Sequence, residues 1–175
     1  MADLRYPLGE FQSPSTFSTD DRRRSIAIIE ETPAKMRAAV RGLNDRQLDT
    51  PYRPGGWTVR QLVHHVPDSH LNAYIRFKLA LTEDVPTIKP YDEQSWAKLE
   101  DSTKTPIETS LALLESLHQR MTVLLKSMKS DDFGRKLNHP ERGPMTIDSV
   151  LALYAWHGPH HVAHITELRK REGWS

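Results

Sequence analysis

The chain has no cysteine among its 175 residues. That excludes disulfides, thiolate metal sites, iron–sulfur clusters and a cysteine nucleophile. No apolar run reaches the roughly 18 residues a membrane span needs, and Met1 to Pro7 lack the apolar stretch of a secretory leader. Net charge is almost absent: 24 Lys and Arg stand against 23 Asp and Glu. The two signs are mixed along the chain, so there is no basic footprint for nucleic acid. Neither a P-loop nor G-x-G-x-x-G is present, and there is no G-x-S-x-G elbow. These absences predict a cytoplasmic protein that meets a small molecule rather than nucleic acid or membrane.

What is present suits one domain spanning 1–175, with 37% apolar and 27% charged residues and enough length to bury a core without staples. Residues 1–19, with Pro7, Gly9 and Pro14, read as an extended N-terminal arm. Ile26, Ile29, Met36, Ala39, Val40 and Leu43 recur at helical intervals. Pro33 within that stretch predicts either a kink or a fresh helix start capped by Thr32. Thr58 and Gln61 have the form of a capping box. Behind them Val59, Leu62, Val63, Val66, His70, Ala73, Tyr74 and Phe77 form one stripe of a second helix, running to about residue 82 with Pro67 inside it. Thr105, Pro106 and Glu108 read as cap, first and third positions of a third helix that ends near Met128. A fourth starts near Thr146, carries Ile147, Val150, Leu151, Tyr154, His161, Ile165 and Leu168 on one face, and frays near Gly173. No strand is predicted, so the fold class is all-α, a four-helix bundle.

Nine histidines are the unusual feature. His64 and His65 sit on helix two; His157, His160, His161 and His164 sit on helix four. Spacing of four stacks His157 over His161 and His160 over His164, and two imidazoles one turn apart can share a metal ion. A third ligand would come from His64 or His65. Three ligands leave open positions, as catalytic metal sites do. His65 is about 10 Å into helix two and is level with the His164 end of helix four only if the two helices run antiparallel. The ligand hypothesis therefore predicts up-down-down-up topology, with a long crossover at 83–104 between helices two and three. His70, His118 and His139 stand alone in sequence and read as ordinary surface or hydrogen-bonded residues.

The segment from Pro51 through Gly55-Gly-Trp57, His64-His65 to His70 resembles the DinB/YfiT-like superfamily, and so does Trp156-His-Gly-Pro-His-His-Val-Ala-His-Ile165. Tyr6 to Glu10, Tyr74 to Leu79 and Pro90 to Glu93 extend the match, which is nearest to the YfiT type of metal-dependent hydrolases. Pro67 and Pro159 depart from its pattern. The resemblance implies the same up-down-down-up bundle, a homodimer, and one divalent ion per chain, nickel or zinc. It implies His65, His160 and His164 as the ligands, with His157 and His161 outside the set. His65, His160 and His164 lie roughly 100–140° from the centres of their apolar stripes, on the same rotational side. The resemblance further implies a hydrolase, or a transferase acting on a low-molecular-weight thiol such as bacillithiol. A metal-binding stress-related or structural helical dimer without turnover is the alternative. Asp68 and Glu167, each one turn from an expected ligand, are candidates to orient it. Arg76, Tyr91 and Asp92 fall in matched segments and are candidate pocket residues.

Overall fold

The computed structural model describes residues 3–174. Four long helices make the bundle: α1 (Thr19–Val40), α3 (Val59–Thr82), α6 (Ile107–Ser127) and α7 (Ile147–Glu172), with short helices α2 (Asp45–Leu48), α4 (Glu93–Trp96) and α5 (Glu100–Lys104) in the connectors. The helix starts follow local chemistry. Ser18 and Asp21 cap α1 reciprocally, and Thr58 and Gln61 do the same for α3, satisfying backbone N–H groups that have no intrahelical partner. α1 opens at Thr19, at the expected end of the N-terminal arm and seven residues before the first apolar position of its stripe. The expected cap of α6 shifts by one: Pro106 occupies the cap position and Thr105 makes no capping bond. Pro33, Pro67 and Pro159 all lie inside unbroken helices.

Helix directions follow from which residues meet. Arg22 of α1 bonds Asp148 at the start of α7, and Arg169 near the end of α7 donates to the Ala39 carbonyl at the end of α1. Those helices are parallel. His64 meets Ser110 and His70 meets His118, so α3 and α6 are also parallel. His65 and Arg76 meet His157 and Tyr154, so α3 and α7 are antiparallel. The bundle is up-down-down-up, and its crossover is the 83–106 segment that carries α4 and α5.

One expectation is corrected: the second connector contains a hairpin. β1 (Lys136–His139) pairs antiparallel with β2 (Gly143–Thr146) in the register Lys136 to Thr146 and His139 to Gly143. Strands of four residues are too short to display alternation in sequence. The crossover buttresses them, since Ile88 N–H donates to the Asn138 carbonyl and Asn138 N–H to that of Pro86.

The interior divides into two apolar clusters. One gathers Ile29, Phe77, Met121, Leu151 and Tyr154; the other gathers Met36, Leu62, Val66, Leu114 and Ile165. Fully buried side chains of this size stabilise by about 1.5–3 kcal/mol each. Between the clusters, midway along the bundle, lies a layer of imidazoles. Gly158 lets α7 approach α1 closely there: a Cβ at that position would lie 2.6 Å from Thr32 Cγ2.

Candidate metal centre

His65 of α3 faces His157 and His161 of α7. His65 Nε2 is 3.3 Å from His157 Nε2, which is 3.2 Å from His161 Nε2, and one ring nitrogen from each residue lies within 4.8 Å of the others. Bonds of about 2.05 Å at tetrahedral angles place two ligand nitrogens about 3.3 Å apart. The spacing and the all-nitrogen donor set therefore fit a first-row divalent ion such as zinc or nickel.

The ligand set expected from the resemblance is regrouped. Among the described residues, His160 and His164 gather with His161 in a second cluster, not with His65. The reason is rotational. Residues 157 and 161 project toward α3, while 160, three positions on, is turned about 60° away. His160 lies under Tyr6 and is stacked on Trp156 at 4.2 Å; its Nδ1 and Trp156 Nε1 are buried without a hydrogen-bond partner. Both His164 nitrogens are occupied. Nε2 lies 3.0 Å from the Arg5 carbonyl and Nδ1 lies 3.3 Å from His161 Nδ1. Tyr52 covers its ring at 4.0 Å. The extended N-terminal arm thus packs against the histidine layer through Arg5 and Tyr6.

His64 points the other way, toward Ser110 Oγ at 2.7 Å and the Thr105 carbonyl at 3.1 Å. Trp57 packs its ring 4.6 Å from that of His65. The two carboxylates expected to orient ligands do not do so. Glu167 pairs with Lys170 at 2.6 Å, and Asp68 makes no side-chain bond to a histidine among the described residues. Burial raises the Asp68 carboxyl to about 6.

Two of the histidines that stand alone in sequence reach this cluster. His70 Nε2 is 3.2 Å from His157 Nδ1, His118 Nε2 is 2.8 Å from His70 Nδ1, and His118 Nδ1 is 2.6 Å from the Ile29 carbonyl. The available signal was the place of His70 on the apolar stripe of helix two; the contacts between helices have no signature in sequence. Burial, reinforced by neighbouring imidazoles, holds His70, His157 and His161 well below the usual histidine range. Burial also brings His65 to about 3 and His118, His160 and His164 to about 4. The centre is a cluster of neutral imidazoles, the form that ligates metals.

A cavity of about 570 Å³ opens beside His157. Arg76, Tyr91 and Asp92 line it as expected, together with Glu93, His139 and Arg142. Arg76 donates to the Tyr154 hydroxyl at 3.3 Å. Burial raises the Tyr91 phenol above its ordinary range and raises the Glu93 carboxyl.

Residues 28–165 match the DinB superfamily. A Bacillus cereus (strain 03BB102) protein, provisionally named a metal-dependent hydrolase, is 54% identical over 174 residues, covering 99% of this chain and all of its own length. YfiT of Bacillus subtilis (strain 168), which carries the same provisional assignment, is 51% identical over 174 residues, 99% of this chain and 98% of its own. The solved structure of YfiT, described as a probable metal-dependent hydrolase with an unusual four-helix bundle topology, superposes with a TM-score of 0.97 at 50% identity, over 99% of this chain and 100% of that one.

Proposed function

This chain belongs to the DinB superfamily, and on that premise we propose that it is a metal-dependent hydrolase holding one divalent ion, nickel or zinc, on His65, His157 and His161. The observation that carries this reading is the convergence of three Nε2 atoms from two antiparallel helices, those of the buried His65 and His161 and the half-buried His157. His160 and His164 are the competing partners of His65. They are disfavoured because both His164 nitrogens are already engaged. An ion held by His65, His157 and His161 would supply Lewis-acid chemistry for hydrolysis.

The chain's own residues do the rest. The cavity beside His157 has the size of a small-molecule site. Arg76 and Arg142 form no ion pair among the described residues and stand ready to orient a polar substrate group. Glu93 lines the same cavity, where its carboxylate is placed to accept a proton during attack by water. Trp57, Tyr52 and Tyr6 pack on the histidine rings and keep bulk water from that side.

The test is turnover of tag-free protein with and without its ion. Ester or amide hydrolysis that is lost on chelation and restored by zinc or nickel is the expected result. Turnover only with a low-molecular-weight thiol and an electrophile would reassign the centre to thiol S-transfer, in which a bound ion would favour the deprotonated thiol. Bound ion with neither activity would leave a metal-binding protein without turnover.

A further inference from the structure

We propose that two hydrogen-bond relays, each anchored on a main-chain carbonyl, fix the tautomers of His157 and His161 and aim both Nε2 lone pairs at the metal position. His70, His118 and His164 are then positioning residues. This inference rests on the ligand set proposed above.

The first relay starts at Pro33. Proline has no N–H, so the Ile29 carbonyl four residues earlier loses its ordinary helical donor. His118 Nδ1 takes that place at 2.6 Å. A carbonyl only accepts, so the His118 proton is on Nδ1. A neutral imidazole carries one N–H, so His118 Nε2 is the acceptor. His70 Nδ1, 2.8 Å away, must donate to it. His70 Nε2 is then an acceptor, and His157 Nδ1 donates to it across 3.2 Å. The proton of His157 is thereby committed to Nδ1, and Nε2 is bare.

The second relay starts in the arm. The Arg5 carbonyl lies 3.0 Å from His164 Nε2, which therefore carries the proton. His164 Nδ1 accepts from His161 Nδ1 at 3.3 Å, and His161 Nε2 is also bare. Two unprotonated nitrogens then face each other at 3.2 Å, an arrangement that a cation between them relieves. His65 is held differently. Trp57 packs on its ring, and its one hydrogen-bond contact among the described residues is Nε2 to His157 Nε2 at 3.3 Å. It is the one ligand free to exchange tautomers, donating from Nε2 without the ion and shifting its proton to Nδ1 when the ion binds.

The experiment is a long-range proton–nitrogen correlation spectrum of histidine-labelled protein, metal-free and zinc-loaded, with rings assigned by single substitutions. The expected metal-free pattern is Nδ1–H on His70, His118, His157 and His161, and Nε2–H on His164 and His65. Zinc should move only the His65 proton. An Nε2–H tautomer on His70, His118 or His157 would overturn the first relay. A companion measurement uses zinc affinity by competition with a chromophoric chelator. His118→Leu removes donor and acceptor and should weaken binding about 10–100-fold. His118→Gln offers an amide N–H to the Ile29 carbonyl and a carbonyl oxygen to His70, and should stay within about threefold of wild type. Equal affinity in all three proteins would overturn the proposal. If His118→Leu does not fold, the wild-type spectrum still decides. The two levels of the reading separate. Zinc bound with the tautomers reversed sinks the relays alone. No zinc bound, with tautomers as assigned, sinks the metal centre and the purpose of the relays with it.

Discussion

Gly158→Ala should expose how closely α7 must approach α1 to hold His157 in place. An added Cβ would lie 2.6 Å from Thr32 Cγ2 and 2.9 Å from Thr32 Oγ1, against an ordinary contact of 3.4–4 Å. Thr32 is 1% exposed, and its hydroxyl donates to the Ile28 carbonyl at 2.8 Å, so it has little room to yield. Overpacking of this kind costs about 1–3 kcal/mol. Alanine recovers about 1 kcal/mol of helix propensity relative to glycine, leaving a net loss of up to about 2 kcal/mol, or roughly 4–8 °C in Tm for a chain of this size. Thr32→Ala removes both clashing atoms, and in that background Gly158→Ala should become stabilising by about 1 kcal/mol. The assay is a double-mutant cycle by urea unfolding, run with chelator so that ion binding does not contribute. The expected coupling is about 1–3 kcal/mol. A Gly158→Ala change that stabilises equally in both backgrounds would refute the close-approach argument.

Two further outcomes concern the Arg22–Asp148 pair and the Asp68 carboxyl. Asp148→Ala should cost about 2–3 kcal/mol in urea unfolding. It leaves Arg22, only 17% exposed at its side chain, without its paired contacts of 2.8 and 2.7 Å, and Arg22→Lys should show a smaller loss. Asp68, raised by burial to about 6 from 3.8, binds its proton more tightly folded than unfolded. Its contribution is most favourable below about pH 4 and is lost as pH rises toward 6. Asp68→Asn should therefore be near neutral at pH 4 and stabilise by about 1 kcal/mol at pH 8, allowing for partial solvent screening; equal effects at both values would contradict a buried carboxyl.

Much of the fold was readable because its signals are local. The Thr58–Gln61 box and the stripe from Val59 to Phe77 place α3, and the apolar positions from Ile147 to Leu168 place α7. The topology was legible through the family resemblance; levelling His65 with His164 pointed the same way, whereas His157 and His161 lie near the middle of α7 and do not by themselves fix the helix direction. The hairpin escaped because four-residue strands carry no periodicity. The site was legible to the level of the histidine clusters and no further. Choosing 157 and 161 over 160 and 164 turns on about 60° of helix rotation, finer than a stripe centre defines. The relay through His118 and His70 joins residues on three helices and a carbonyl freed by Pro33. Each looks ordinary alone, and only the packing of α1, α3, α6 and α7 brings them into line.

The central claim, that the ion is held by His65, His157 and His161, is tested most directly by anomalous diffraction from crystals of the zinc- or nickel-loaded protein at the metal edge. The account predicts one anomalous peak per chain within about 2.0–2.3 Å of the Nε2 atoms of those three residues. A peak bonded to His160 and His164, or no ordered ion at the histidine layer, would contradict it.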